Sequence, residues 1–162
     1  MSAGPTPPGA PDGASPSPVR KARDAFRWDG VDVTRYKDAG SAPFRDVTRQ
    51  VLFDVPGMAG EWRYFEVAPG GHSTLERHAH PHAVMVLRGR GRCLVGGAIH
   101  ALAERDLVHV PPMTWHQFRA DDDAPLGFLC LVDKDRDRPQ LPTRDELAAL
   151  AADPAVAAFV RA

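Results

Sequence analysis

The sequence predicts an all-β protein folded as an antiparallel jelly roll or barrel, with an irregular N-terminal tail and a short helical C-terminal tail. Between residues 61 and 133, apolar runs of strand length alternate with Pro-Gly, Gly-Arg-Gly, Gly-Gly, Pro-Pro and Asp-Asp-Asp stretches. Many short strands with turn residues at regular spacing are typical of antiparallel barrels. Helical spacing appears only after residue 143, so we expect the helices to lie outside the barrel.

Composition limits the classes of partner. The chain has 162 residues and a formal net charge of -1, which is one domain's length without the basic excess that attracts nucleic acid or acidic membranes. No apolar run reaches the length of a membrane span, and the N-terminus lacks a signal peptide. Two cysteines are too few for a disulfide framework. We therefore expect a cytoplasmic protein that binds a small molecule, with neither nucleic acid nor membrane as partner.

Composition also divides the chain into four segments. Residues 1–24 form a Pro/Gly-rich tail that we predict to be disordered, because it has too little apolar surface to offset the entropy of ordering. Residues 25–60 are predicted to be an N-terminal arm with short strands, among them TRQVLFDV, and residues 61–133 the barrel. Residues 134–162 are predicted to be the helical tail.

The start of each helix in this tail is marked by capping residues. Thr143 is followed three positions later by Glu146, the spacing of a capping box, and Leu147 and Leu150 continue at helical spacing. Asp153 followed by Pro154 predicts a second short helix, since proline is favoured at the first helical position.

Candidate metal ligands are concentrated in residues 74–89, TLERHAHPHAVMVLRG. Glu76, His78, His80 and His82 stand at alternate positions, and His116 follows later in VPPMTWHQF. A single histidine is usually a surface or core residue. A group of buried imidazoles is costly unless a cation or a carboxylate compensates it, so the group favours a divalent metal. Alternation along one strand would put all four side chains on one face and does not select among them.

Two stretches keep the spacing of the two motifs of the cupin superfamily, which the chain resembles over about residues 60–133. The first runs, without a gap, as Gly70, five residues, Glu76-x-His78, three residues, His82, six residues, Gly89. The second runs as Arg105, five residues, Pro111-x-Met113, two residues, His116, three residues, Ala120. Glutamate and histidine exchange places relative to the usual first motif. Arg105, Met113 and Ala120 replace the usual glycines and asparagine of the second.

This resemblance implies a cupin-type jelly-roll barrel and a metal set of Glu76, His78, His82 and His116. Three imidazoles and one carboxylate suit one divalent transition metal, Mn, Fe, Ni, Co or Zn, and leave two octahedral positions open. His80 then lies at a corner on the rim. The alternative set is His78, His80, His82 and His116. Glu76 would then be an outer group, that is, one that contacts a metal ligand without binding the metal itself.

The stretches RYFEVAPGGHSTLERHAH and LGFLCLVDKDRDRPQLPT resemble a branch of small single-domain cupins, the methylthioxylulose-phosphate methylsulfurylase type. The likeness covers residues 27–162. It implies removal of a methylthio group from a phosphorylated ketose, with a thiol as acceptor, in methylthioadenosine salvage.

Further residues are candidates for such chemistry. Cys130 is a candidate catalytic thiol, although free cysteines are more often small buried hydrophobes. Arg63, Trp115 and Phe118 are candidates for substrate binding. Two other arginines, Arg77 and Arg119, are expected on the face opposite the ligands, because side chains alternate along a strand.

Two alternative functions remain open from the sequence. One is an Fe(II)-dependent cupin dioxygenase, and the other is a non-catalytic cupin that binds a small ligand. A homodimer is also expected, because TRQVLFDV could add to the exposed sheet edge of a second copy.

Overall fold

The structure is a computed structural model that describes residues 18–38 and 40–162. The chain divides into two units, residues 1–30 and residues 31–162. In the first unit β1 (Ala22–Arg23) pairs antiparallel with β2 (Arg27–Trp28). The disorder predicted for residues 1–24 falls mainly on residues 1–17, which lie outside the described part of the chain. Residues 22–23 of that predicted tail belong to the β1–β2 pair.

The second unit contains nine further strands and two short helices among its described residues. The strands are β3 (Thr34–Arg35), β4 (Arg45–Phe53), β5 (Gly60–His72), β6 (His82–Gly89), β7 (Gly91–Val95), β8 (Ala98–Leu102), β9 (Leu107–Val110), β10 (His116–Ala120) and β11 (Leu126–Asp133). The helices are α1 (Arg144–Leu150) and α2 (Pro154–Phe159).

These nine strands form one curled antiparallel sheet. Its order is β8-β7-β10-β5-β11-β6-β9, with β4 paired to β5 and β3 paired to β4. The thirteen-residue β5 reaches three neighbours, β4, β10 and β11. The predicted all-β jelly-roll fold with a helical C-terminal tail is confirmed. The strand TRQVLFDV belongs largely to β4 and pairs within its own chain.

The core lies on the concave face of the sheet. Alternate residues of β11, namely Leu126, Phe128, Cys130 and Val132, are all buried there. They pack with Phe65, Phe118, Val84 and other apolar residues of neighbouring strands in one cluster. Period-two alternation therefore decides which side chains reach the interior and which face outward.

The helical tail packs against the outer face of the sheet. Thr143 and Glu146 make both bonds of the predicted capping box, and Asp153 caps α2 with Pro154 at its start. Val156 and Phe159 of α2 are buried with Leu75 and Leu94 in a second apolar cluster. The two helix starts predicted from sequence are confirmed.

Gln117 connects this tail to β10. Its amide nitrogen donates to the carbonyl oxygens of Ser73, at 2.9 Å, and Arg161, at 2.7 Å. Its amide oxygen accepts from the Arg161 backbone nitrogen at 3.0 Å. The side chain is fully buried, so these bonds replace water for all the groups involved.

No helix in residues 18–38 or 40–162 combines the length and the apolar character that crossing a bilayer requires.

Gly89, which ends the first motif, is required by its backbone. Its φ is +68°, and a Cβ there would lie 1.9 Å from the Pro125 carbonyl oxygen. We expect Gly89→Ala to lower the free energy of unfolding by about 2–4 kcal/mol, from left-handed strain and overpacking together. Urea unfolding measures this. Gly97→Ala is the matched control, because no atom lies within 4 Å of its Cβ position. Equal stability of the two variants would contradict the expectation.

Candidate metal centre

A cavity of about 220 Å³ opens on the concave face of the sheet. Apolar side chains of the core, including Val47, Phe65, Phe118 and Phe128, line one part of it. Polar groups line the rest: Glu76, His78, His80, His82, His116, Arg49, Arg63, Cys130, Tyr36 and Lys37. The cavity is therefore apolar in its depth and rich in titratable groups around the histidines.

Three imidazoles converge in this cavity. One ring nitrogen each from His78, His82 and His116 lie within 4.8 Å of one another. His82 begins β6 and His116 begins β10, while His78 lies in the loop between β5 and β6. All three were predicted as ligands from the motif spacing, and the fold brings them together from three separate segments.

Backbone carbonyls orient two of these rings. His78 Nδ1 lies 2.8 Å from the His80 carbonyl oxygen, and His116 Nδ1 lies 2.9 Å from the Thr114 carbonyl oxygen. A carbonyl only accepts, so each Nδ1 carries the hydrogen and each Nε2 keeps its lone pair. His78 Nε2 is buried and has no hydrogen-bond partner. Such an orphaned lone pair fits a metal cation.

Burial keeps the three rings uncharged. It lowers the pKa of His78 to about 4, and the positive charges that His116 and His80 can carry lower it further. Burial also holds the pKa of His82 and that of His116 below their ordinary values. Neutral imidazole is the form that binds a metal, so the group is ready for a divalent cation without losing protons first.

Glu76 lies beside this group. Its carboxylate accepts hydrogen bonds from the Lys37 ammonium and from the Tyr36 hydroxyl, the latter at 3.3 Å. Backbone bonds in both directions tie Glu76 to His116, at 3.2 and 3.0 Å. Burial raises the pKa of Tyr36 well above its usual value, and the Glu76 charge adds to this.

His80 is held on the other side of the group. Its Nδ1 lies 2.8 Å from Asp137 Oδ1, its ring stacks on that of His78 at 3.7 Å, and its Nε2 lies 3.4 Å from His82 Nε2. The Ala79 backbone N–H and then the His80 ring lower the pKa of Asp137 to about 2. Asp137 therefore fixes the tautomer of His80 as carboxylates do for metal-binding histidines.

Arg63 and Cys130 meet in the cavity wall, as neighbours across β5 and β11. Arg63 Nη2 lies 3.6 Å from Cys130 Sγ, and Arg63 Nε lies 3.5 Å from Glu61 Oε1. Burial raises the pKa of the Cys130 thiol, while the Arg63 charge opposes that rise. Cys130 is therefore a neutral thiol next to a buried cation.

Phe118 lines the cavity, whereas Trp115 does not. Trp115 packs against the second apolar cluster and under the Arg77 guanidinium, which lies 4.4 Å from the ring centre and pairs with Glu146. Arg119 donates to the Phe159 carbonyl oxygen at 2.5 Å. The expectation that Arg77 and Arg119 face away from the ligands agrees with these contacts.

Residues 63–132 match the family model described as Cupin domain. Over 143 residues the chain is 61% identical to 1-methylthio-D-xylulose 5-phosphate methylsulfurylase of Rhodospirillum rubrum, a match that covers 88% of this chain and 92% of the relative. The chain belongs to the cupin family.

The fold of this chain is also similar to those of solved cupin structures. The structure of a cupin 2 conserved barrel domain protein from Rhodopseudomonas palustris aligns with this cupin at a TM-score of 0.85 and 59% identity, covering 89% of this chain and 99% of that one. A cupin-2 domain structure from Rhodospirillum rubrum aligns at a TM-score of 0.79 and 60% identity, covering 88% and 95%. The resemblance predicted from the two motifs is confirmed.

Several cavity residues of this cupin were missed by sequence reasoning. Tyr36, Lys37 and Arg49 lie in or near the N-terminal arm, and Asp137 lies beyond the last strand. None belongs to a motif, and each reaches the cavity through contacts between distant segments. The only available signal was alternation in β4, which places Arg49 on the same face as the buried Val47.

We propose that Glu76 is the fourth metal donor, since the spacing that selects the three converging histidines also selects it. Glu76→Gln should then lower the affinity for Mn²⁺ by more than the roughly 10–100-fold typical of losing an outer group. His80→Gln is the matched variant and should stay within that range. Metal titration by calorimetry gives both values. The reverse order would make His80 the donor and Glu76 the outer group.

The lowered histidine pKa values predict a weak effect of acid on metal binding. Protons compete with the metal for a ring nitrogen only below the pKa of that histidine. Because burial lowers the pKa of His78 and His82, this competition moves to lower pH. Between pH 7.5 and 5.5 we expect the Mn²⁺ affinity to change by less than about threefold. Exposed imidazoles with ordinary pKa values would lose roughly tenfold each over this range. A loss of that size would show that the rings titrate normally.

Proposed function

We propose that this cupin is a metal-dependent enzyme that removes the methylthio group from a phosphorylated ketose, methylthioxylulose phosphate, in methylthioadenosine salvage. The observation that carries the proposal is 61% identity, over most of both chains, to a relative named for that activity. The cavity supports it, because a three-imidazole group and a buried thiol line the same space.

His78, His82, His116 and Glu76 would hold the metal. A divalent cation supplies Lewis acidity, which makes a bound carbonyl group a better electron acceptor. The chain itself orients the ligands, through the Nδ1 bonds of His78 and His116, and excludes water with the apolar wall of Phe65, Phe118 and Phe128. A ketose carbonyl at the histidines would therefore be activated in a nearly dry site.

Cys130 would act on the methylthio sulfur of the substrate. Its sulfur attacks that sulfur and an S–S bond forms, while the bond from sulfur to carbon 1 breaks. The electron pair goes to carbon 1, which takes a proton, so carbon 1 is reduced and the thiol is oxidised. An external thiol then takes the methylthio group from Cys130 as a mixed disulfide, and the thiol of Cys130 is restored.

Arg63 would assist by favouring the thiolate. The thiolate is the attacking form, and burial disfavours it at Cys130. The guanidinium 3.6 Å from the sulfur acts in the opposite direction. Arg63 is thus assigned to Cys130 rather than to the substrate alone.

The homodimer remains a prediction, as does the cytoplasmic location. β4 pairs with β5 on one side and with β3 only at Thr48 and Arg49 on the other, so a dimer through this strand would use the part of its edge beyond those two residues.

Turnover without oxygen tests the reaction. With Mn²⁺, methylthioxylulose 5-phosphate and dithiothreitol under nitrogen, we expect release of 1-deoxyxylulose 5-phosphate, measured by mass spectrometry. Cys130→Ser should lower the rate by at least a hundredfold, because a hydroxyl does not replace the attacking sulfur. Turnover that requires oxygen would instead support the dioxygenase alternative.

Cys93→Ser is the control for this variant. Cys93 is fully buried in the core, and burial raises the pKa of its thiol to about 11. This variant should keep its rate. A single turnover without added thiol should leave a methylthio adduct on Cys130 and none on Cys93. An unmodified Cys130 after product has formed without added thiol would remove this residue from the mechanism.

A further inference from the structure

Arg49 carries a positive charge that nothing in the described part of the chain balances. It lies in β4, on the same strand face as Val47, and both side chains line the cavity. Arg49 Nε is buried and has no hydrogen-bond partner. No ion pair within residues 18–38 and 40–162 includes this guanidinium. A buried donor without an acceptor is costly, and the cost is recovered when an anion binds.

The neighbouring cations of the cavity differ from Arg49 in having a carboxylate of the chain nearby, although Arg63 Nε also lacks a hydrogen-bond partner. Arg63 lies near Glu61, which also accepts from Arg136 at 2.9 Å, and Lys37 is paired with Glu76. Each of these cations has a carboxylate of the chain beside it, although Arg63 and Arg136 share that of Glu61. Arg49 is therefore the cavity-lining cation best able to bind an anionic group that comes from outside.

The position of Arg49 identifies which part of a ligand it would meet. An open cleft of about 930 Å³ adjoins the cavity, and Tyr36, Lys37, Arg49 and Pro139 line both spaces. The histidine group lies within the cavity, whereas Arg49 borders the opening to the cleft. A ligand with its reactive end at the histidines would extend its other end toward Arg49.

We infer that Arg49 is the phosphate-binding residue for a sugar phosphate whose carbonyl end lies at the histidine group. This inference rests on the proposed function and names how that site selects a phosphorylated ketose. Two N–H groups of a guanidinium match two phosphate oxygens, so arginine binds this group more specifically than lysine does.

Binding of unreactive sugars tests the inference separately from turnover. D-xylulose 5-phosphate lacks the methylthio group, and D-xylulose lacks the phosphate as well. With the Mn²⁺-loaded full chain, calorimetry should give at least roughly tenfold tighter binding of the phosphorylated sugar, the value typical of one charge-assisted contact. Arg49→Gln should reduce this ratio to below about threefold and leave the affinity for D-xylulose unchanged.

Arg49→Lys keeps the charge but not the paired N–H groups, so its ratio should lie between those of the wild type and Arg49→Gln. Arg35→Gln is the matched control. Arg35 lines the outer cleft but not the cavity, and it has no part in the proposed contact. It should keep the wild-type ratio. Mn²⁺ content and melting temperature check that each variant is folded and loaded.

The results distinguish a failure of the Arg49 assignment from a failure of the proposed reaction. If the wild type turns over methylthioxylulose 5-phosphate and Arg49→Gln has the same KM, the phosphate assignment is overturned and the reaction stands. If no turnover occurs but Arg49 still sets the phosphate preference, the reaction fails and the assignment stands. If Arg35→Gln loses the preference as fully as Arg49→Gln, general cleft charge explains binding and the inference is overturned.

An anionic thiol co-substrate is the other occupant that this cleft could hold. In that case Arg49→Gln would raise the KM for glutathione, which carries carboxylates, and leave both the KM for dithiothreitol and the sugar ratio unchanged. That result would overturn the inference in favour of a co-substrate site.

Discussion

The burial of uncharged imidazoles inside an apolar sheet is the constraint on which the rest of the site depends. Water would normally solvate these rings, and here apolar side chains replace it. The carbonyl groups of His80 and Thr114 satisfy one nitrogen of two rings and leave the other nitrogen exposed to the cavity. The fold therefore accepts an unfavourable polar interior, which a bound cation would make favourable.

Four arginines of this cupin form two pairs that face opposite sides of the sheet. Arg49 and Arg63 point to the concave side and bring positive charge to the cavity. Arg77 and Arg119 point outward, where their contacts with Trp115, Glu146 and Phe159 hold the helical tail against the sheet. A shift of one residue in the register of β4, β5 or β10 would turn the arginine of that strand to the other side of the sheet.

Much of the fold and part of the site could be predicted from the sequence, because they depend on local spacing. The turn residues predict the strands, the pair Thr143 and Glu146 predicts a helix start, and the motif spacing predicts His78, His82 and His116. Lys37 and Asp137 could not be predicted in the same way. Each contacts the histidine loop across a long separation in sequence, and nothing in the surrounding residues specifies that meeting. Trp115 lies outside the cavity for a different reason, since an aromatic residue next to a histidine of the group can face either side of the sheet.

The amide side chain of Gln117 connects the sheet to the C-terminal helical tail. His116, the preceding residue, belongs to the histidine group. The side chain of Gln117 binds the backbone of Arg161 as both donor and acceptor. A carboxylate of equal size could accept but not donate, and an apolar side chain would remove the bonds to both backbone groups of Arg161, while the Ser73 carbonyl oxygen would keep its contact with His72 Nδ1. The position of the C-terminal segment and the position of a candidate metal ligand are thus coupled through residues 116 and 117. Displacement of α2 would therefore act on β10 through Gln117 and on β7 through Leu94, which packs with Val156 and Phe159.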